Sequence, residues 1–138
     1  MNRLGLVLLL FAFVTMGSQC NQQDRIPYVQ TNFTLNLNLP AYIDLTVPSG
    51  WITVSGGSRG VLIYRISNTD FIAFDRHSPY EIDSGCRVEV EDDNITVVDP
   101  CSNSEWLIID GTVLSGPATF PLQQFNVSWN PPNLRVYN

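Results

Sequence analysis

The alternation of apolar and polar residues is the feature that most constrains how this chain can fold. Phe33, Leu35, Leu37 and Leu39 alternate with polar residues, and Pro40 follows them. A period of two places every second side chain on the same face of a strand. The stretch therefore predicts a strand with one apolar face, which ends at Pro40 because proline cannot donate a ladder hydrogen bond.

Short apolar runs continue along the rest of the chain, and turn-forming Gly, Pro, Asn, Asp and Ser residues separate them. The runs are 51–54, 61–66, 71–74, 87–90, 95–98, 106–109, 125–129 and 134–137. No window shows a convincing helical period. Strands that recur roughly every 8 to 12 residues are typical of a sandwich or barrel. We therefore predict an all-β fold, a small antiparallel sandwich or barrel of about eight to ten short strands.

Two hairpins can be predicted within this pattern. One pairs residues 87–90 with 95–98 through an acidic turn, and the other pairs residues 61–66 with 71–74. Cys86 directly precedes the first hairpin and Cys101 follows it. Antiparallel pairing brings such flanking residues together, which is the geometry that a disulfide requires.

The N-terminal segment has the layout of an export signal. Arg3 is followed by an apolar run over residues 4–14 and then by small and polar residues up to Cys20. The run is too short for a membrane span, and residues 17–20 resemble a bacterial lipobox. We therefore predict a signal peptide over residues 1–19, a lipidated Cys20 with a polar tether over residues 20–31, and a globular domain over residues 32–138.

Export and charge together limit the possible partners. If Cys20 carries lipid, two cysteines remain in an oxidising compartment, which favours a Cys86–Cys101 disulfide over two free thiols. The chain has seven basic and 13 acidic residues and a formal net charge of −6. This charge argues against a nucleic-acid partner and against attraction to anionic headgroups. Attachment to a bacterial membrane is therefore expected through the lipid alone.

An ordered set of motifs extends from Asn32 to the C-terminus, over about three quarters of the chain. The motifs are Ala73-Phe74-Asp75, Asp110-Gly111, Gly116-Pro117-Ala118 and Pro121-Leu122. In this order they resemble a Rieske domain. The resemblance implies an all-β domain whose two tip loops hold a [2Fe–2S] cluster, with one cysteine and one histidine from each loop.

The same resemblance locates the positions of the cluster ligands. Ser78 and Tyr80 stand where the first loop has its cysteine and histidine, and Asp99 and Ser102 stand at those of the second loop. Serine, tyrosine and aspartate do not reproduce a ligand set of two thiolates and two imidazoles. The resemblance therefore implies a degenerate domain in which we expect no cofactor and no metal.

The remaining cysteines match another feature of the family. In the Rieske proteins of cytochrome bc complexes, an extra cysteine in each loop forms a disulfide, and the resemblance implies the same bridge between Cys86 and Cys101. Zinc is not predicted, because His77 and the two cysteines lack the usual close spacing. We expect His77 at the surface or at a hairpin end. No nucleophile–base pair is evident, since nothing in the sequence orients this only histidine.

These observations predict an exported lipoprotein that is not an enzyme. Its Rieske-like domain would be a binding or structural module of the cell envelope, with the tip over residues 76–105 contacting an unknown envelope protein. The alternative is a Rieske-type electron-transfer protein that carries a [2Fe–2S] cluster.

Overall fold

The computed structural model describes residues 25–138, which form ten strands and two short 3-10 helices. The strands are β1 (Asn32–Asn36), β2 (Trp51–Val54), β3 (Val61–Arg65), β4 (Phe71–Asp75), β5 (Glu89–Val90), β6 (Thr96–Val98), β7 (Glu105–Leu107), β8 (Val113–Ser115), β9 (Gln124–Asn130) and β10 (Asn133–Tyr137). The 3-10 helices are Pro40–Thr46 and Ile82–Ser84. The predicted all-β class and strand number are confirmed.

The strands form two antiparallel sheets. The larger has the order β1-β10-β9-β4-β3-β2, and the smaller has the order β5-β6-β7-β8. β4 and β9 are neighbours in the larger sheet, with Ala73 paired to Phe125. Between these two strands the chain leaves the larger sheet, builds the whole of the smaller one and returns. This excursion contains every tip residue singled out by the sequence.

The β3–β4 hairpin is buried on both faces and separates two hydrophobic cores. Leu62, Tyr64, Ile72 and Phe74 face the core shared with the smaller sheet. The intervening side chains, such as Ile63, face the core shared with β1, β9 and β10. A strand covered on both faces has a continuous apolar sequence, which explains the unbroken run in β3.

The smaller sheet packs its apolar side chains onto the first of these cores. Val97 and Trp106 of the sheet, with Val88 and Ile108 directly beside its strands, are fully or almost fully buried there. Trp106 also donates a hydrogen bond from Nε1 to the carbonyl oxygen of Phe120 at 2.9 Å, which satisfies its single polar atom. The two sheets are therefore held together mainly by apolar burial.

Both predicted hairpins are present, with β3 paired to β4 and β5 paired to β6. Two details differ from the prediction. The first strand ends at Asn36, and Leu39 is half exposed because the chain turns there into the first 3-10 helix. Strand β8 was missed, since its three residues are exposed or half-buried and do not alternate between apolar and polar side chains.

The predicted signal peptide and Cys20 lie outside the described residues. Within residues 25–138, no helix has the length and apolar character to cross a membrane. The end of the predicted tether contacts the domain, because Ile26 and Thr31 are buried. The backbone amide of Thr31 donates to the side chain of Asn138 at 2.9 Å.

The acidic turn between β5 and β6 is organised by Asp93. Its carboxyl group accepts hydrogen bonds from the hydroxyl of Thr96 at 2.6 Å and from the amides of Ile95 and Thr96 at 2.8 Å. These bonds, the Thr96 hydroxyl first, lower the pKa of Asp93 below its usual value. The turn is thus closed by its own side chains.

Removal of a side chain from the β3–β4 hairpin should destabilise the domain strongly. We expect Phe74→Ala to lower the free energy of unfolding by about 3–5 kcal/mol, because it leaves a cavity in a fully buried site. Urea denaturation followed by tryptophan fluorescence would measure this change. The control is Leu114→Ala on half-exposed β8, for which we expect a loss of at most about 0.5 kcal/mol. Equal losses would contradict the assigned core.

Candidate functional site

Two loops meet at the edge of the smaller sheet. We call residues 76–88 the first tip loop and residues 99–104 the second tip loop. Cys86 of the first and Cys101 of the second are joined as a disulfide, with their Cα atoms 6.4 Å apart. This separation lies within the range of about 4.4–6.8 Å usual for disulfides. The structure thus pairs the two cysteines as the hairpin geometry and the family resemblance both predicted.

Asp99 is the centre of a hydrogen-bond network between these loops. Its side chain is 1% exposed. One carboxyl oxygen accepts the hydroxyl of Ser78 at 2.7 Å and the hydroxyl of Ser102 at 2.9 Å. The other oxygen accepts the amide of Cys101 at 2.8 Å. Three donors therefore converge on one buried carboxyl group, which links the two loops directly.

Three of the four residues that the resemblance aligns with cluster ligands take part in this network. Ser78 and Asp99, at the two cysteine positions, are bonded to each other, and Ser102, at a histidine position, is bonded to the same carboxyl oxygen. Hydrogen bonds between side chains of this one chain thus span the space between the two loops. The groups that meet there are hydroxyl and carboxyl oxygens.

The fourth residue, Tyr80, has a different environment. Its ring is half-buried and packs against the core shared by the two sheets. Its backbone amide donates to the hydroxyl oxygen of Ser78 at 3.2 Å. Tyr80 therefore contributes packing to the first tip loop, while only its backbone joins the network.

Ser104 extends the network to the Gly-Pro-Ala motif. Ser102 Oγ lies 2.9 Å from Ser104 Oγ, and the Ser104 oxygen accepts the amide of Ala118 at 3.0 Å. Gly116 has a φ of +90°, and a Cβ there would lie 2.6 Å from the Cα of Ser104. Only glycine permits this close approach. The motif therefore acts as a support that packs against the second tip loop.

Of the two expected positions for His77, a surface position or a hairpin end, the surface position was wrong, because His77 is buried just after the end of the β3–β4 hairpin. Its side chain is 4% exposed. Nε2 lies 2.8 Å from the carbonyl oxygen of Ile82, and Nδ1 lies 2.8 Å from Ser58 Oγ. A carbonyl oxygen can only accept, so Nε2 is the donor in its bond to Ile82.

The Ser58–His77 pair was missed because the two residues are far apart in sequence and meet only through the fold. Asp75, which is 2% exposed, brings them together. Its carboxyl group accepts the amides of Ser58, Arg59 and His77 at 2.6, 3.2 and 2.8 Å. The carboxyl group thus contacts the backbone of His77 and holds residues 55–60, the glycine-containing loop, against the first tip loop. Both ring nitrogens of His77 already have partners.

The donor atoms at the tip do not match those of a Rieske cluster. A [2Fe–2S] centre of this type needs two thiolates and two imidazoles. The described residues contain only Cys86, Cys101 and His77 as sulfur and imidazole donors. The two sulfurs are bonded to each other, and they lie with an Asp99 oxygen within 4.8 Å of one another. A disulfide is not a thiolate ligand, so this group of three does not form a metal site in its oxidised state.

The hydrogen bond between Ser78 and Asp99 should be energetically important because both residues are buried. We expect Asp99→Ala to lower the free energy of unfolding by at least about 2 kcal/mol, since it leaves buried donors without an acceptor. A double-mutant cycle with Ser78→Ala should give a coupling energy of about 1–3 kcal/mol. Urea denaturation of the oxidised protein provides the measurement.

A surface pair supplies the matched control. Ser115 donates to a carboxyl oxygen of Glu105 at 3.0 Å in an exposed position. A cycle of Ser115→Ala and Glu105→Ala should give a coupling energy of no more than about 0.5 kcal/mol, because water replaces the lost partner. If the two cycles gave the same coupling energy, the Asp99 network would not be the stabilising feature of the tip.

Comparisons with known proteins agree with this architecture. Neither the protein-family models nor the curated proteins gave a match to the sequence. Among solved structures, the cyanobacterial plasma membrane Rieske protein PetC3 from Synechocystis PCC 6803 is similar, with 22% identity and a TM-score of 0.54. The match covers 64% of this chain and 86% of PetC3.

A second similar structure is a chain in the complex of reduced oxygenase and oxidised ferredoxin in carbazole 1,9a-dioxygenase. It has 17% identity and a TM-score of 0.50, over 80% of this chain and 94% of that chain. At such identities the likeness concerns the fold. The described part of this chain therefore has a Rieske-like fold.

Proposed function

We propose that this protein is an exported lipoprotein whose Rieske-like domain lacks the cluster and serves the cell envelope as a binding or structural module. The observation that carries the proposal is the hydrogen bond between Ser78 and Asp99, the residues aligned with the two cysteine ligands. A site whose ligand positions bond to each other, and offer only oxygen atoms, is suited to hold two loops together.

The disulfide supports the same role. It joins the two tip loops next to the Asp99 network, so that covalent and hydrogen-bonded links act on the same segments. Closing a loop of about 15 residues stabilises a fold by roughly 3 kcal/mol in the chain-entropy description. A rigid tip over residues 76–105 is the surface that would contact an envelope protein, because loops on a rigid β scaffold commonly carry binding sites.

The alternative function is electron transfer through a [2Fe–2S] cluster. The observation that favours it is the fold itself, since one similar structure is a Rieske protein and another is a complex that contains an oxidised ferredoxin. A shared fold does not transfer function unless the site is also shared. The donor atoms of the tip are the reason to rank this alternative second.

The two functions differ in iron content. We expect the domain from Asn21 onward to be colourless, free of iron and without free thiols when it is purified from an oxidising compartment. The same domain from iron-replete cytoplasm should also lack the visible bands of a cluster, because its tip supplies no Cys2His2 set. Visible absorption, iron analysis and a thiol count on one sample provide the measurement. Two irons per chain would establish the electron-transfer alternative.

A gain-of-ligand variant is the matched control for that experiment. The variant combines Ser78→Cys, Tyr80→His, Asp99→Cys and Ser102→His. If the alignment of the loops is correct, a folded variant should take up iron under conditions in which the wild type does not. Iron in neither protein, with the variant folded by circular dichroism, would count against these four positions as the ancestral ligand positions.

Anchoring through Cys20 can be tested separately. In cells of a bacterial host that processes lipoproteins, the full chain should label with a fatty-acid probe and sediment with membranes. Cys20→Ala should abolish the label and release the exported protein to the soluble fraction, because lipid is the proposed anchor. Ser115→Ala on β8, outside the lipobox-like residues, is the control and should leave both properties unchanged. Equal labelling of wild type and Cys20→Ala would exclude the lipid anchor.

A further inference from the structure

A polar pocket lies beside the first tip loop, on the side of the glycine-containing loop. Its volume is about 420 Å³, within the range of roughly 300–1,000 Å³ of small-molecule sites. Residues 53 and 54 at the end of β2 and the loop of residues 55–60 form one wall. Arg59, Arg76 and Arg87 supply the charged side chains. We call this the arginine pocket.

The fold brings together Arg59 from the glycine-containing loop and Arg76 and Arg87 from the two ends of the first tip loop. Arg87 follows the disulfide, and its backbone pairs with that of His77 in an antiparallel bridge. The amide of Val88 donates to the carbonyl oxygen of Arg76 at 2.8 Å, which fixes the two segments side by side. The guanidinium of Arg59 packs over Gly85, where a Cβ would collide with it. This positioning therefore depends on the tip loops.

The concentration of positive charge is unusual for this protein. The whole chain has a formal net charge of −6, and the described residues contain six arginines and no lysine. Three of these arginines line the one pocket, whose lining includes no aspartate or glutamate. Arg65, by contrast, is bonded to carbonyl oxygens such as that of Leu45 at 2.8 Å. The cluster is thus a local feature of an otherwise acidic surface.

Arg76 and Arg87 lie close enough for their like charges to act on each other. Arg76 is half-buried, and its Nε donates to the carbonyl oxygen of Val88 at 3.1 Å. Burial first, and then the charge of Arg87, lower the pKa of Arg76, while Glu89 acts in the opposite direction. Arg76 therefore carries an unfavourable like-charge interaction that a bound anion would relieve.

The nearby buried carboxyl group does not replace such an anion. Asp75 accepts the backbone amides of Ser58, Arg59 and His77, so its oxygens are directed to the loop backbone. In holding those amides it also holds the wall of the pocket in place. Recognition of a ligand is left to the guanidinium groups, whose planar set of donors matches the oxygens of phosphate.

We propose that the arginine pocket binds a phosphate group carried by a small molecule or a lipid headgroup. Arg76 and Arg87 contact the phosphate oxygens, and Arg59 closes the pocket from the opposite segment. The volume leaves space for the group that carries the phosphate. This site is separate from the Asp99 network and does not depend on whether the domain once held a cluster.

Three probes test the proposal and identify the source of the phosphate. They are inorganic phosphate, glycerol 3-phosphate, and phosphatidylcholine vesicles with or without phosphatidylglycerol. Each is added to the oxidised domain at constant ionic strength, because exposed charges are screened by salt. Calorimetry and the Nε resonances of arginine in NMR spectra report binding. We expect saturable binding of at least one phosphate probe, with the resonances of Arg76 and Arg87 shifting most.

Variants separate specific binding from general charge. Arg76→Gln and Arg87→Gln should each weaken binding by roughly tenfold or more, because each removes a charged hydrogen-bond donor. Arg87→Lys should retain more affinity than Arg87→Gln, since it keeps the charge. Arg135→Gln, which makes the same charge change outside the pocket at an exposed position of β10, should leave affinity within about twofold.

Each outcome decides the proposal. The proposal is supported if Arg76→Gln and Arg87→Gln weaken binding and Arg135→Gln does not. Binding only to vesicles that contain phosphatidylglycerol assigns the phosphate to a lipid headgroup. Saturable binding of glycerol 3-phosphate assigns it to a soluble ligand. Absence of saturable binding to every probe overturns the proposal, as does equal weakening by Arg135→Gln. Circular dichroism of each variant verifies that the domain remains folded.

Discussion

Burial of the β3–β4 hairpin on both faces is the constraint on which the rest of the structure depends. Leu62 and Phe74 point to one core while Ile63 points to the other, so a shift of one residue in this hairpin would exchange the two sets. The hairpin is part of the larger sheet. The smaller sheet packs onto the hairpin face that carries Leu62 and Phe74. The first tip loop starts from β4 of this hairpin, and the second starts from β6 of the smaller sheet.

Two buried aspartates then organise the polar part of the molecule. Asp75, at the end of β4, binds backbone amides and fixes the wall of the arginine pocket. Asp99, at the end of β6, binds Ser78 and Ser102 and joins the two tip loops. Each buried carboxyl group has several donors, as burial of a polar group requires. One scaffold therefore presents a closed tip and, beside it, an open cationic pocket.

Sequence patterns predicted the strands that carry a strong apolar signal, and they paired Cys86 with Cys101 correctly. They failed where the signal depends on contacts between distant segments. The residues of β8 do not alternate between apolar and polar, and Leu114 is half exposed. This strand is defined by its pairing with β7, which the sequence pattern does not show. The burial of His77 and its bond to Ser58 could not be read from spacing, since three segments meet there only after β3 and β4 pair.

The sequence by itself determined the all-β class, the two hairpins and the absence of a Cys2His2 donor set in the domain, because periodicity, turn residues and composition are local properties. Only the tertiary structure decided which groups meet at the tip and where the positive charge collects. The Ser78–Asp99 bond joins residues from two different loops, and the arginine pocket gathers Arg59 from one loop and Arg76 and Arg87 from the two ends of another. Such contacts arise from the pairing and packing of strands, which residue spacing along the chain does not encode.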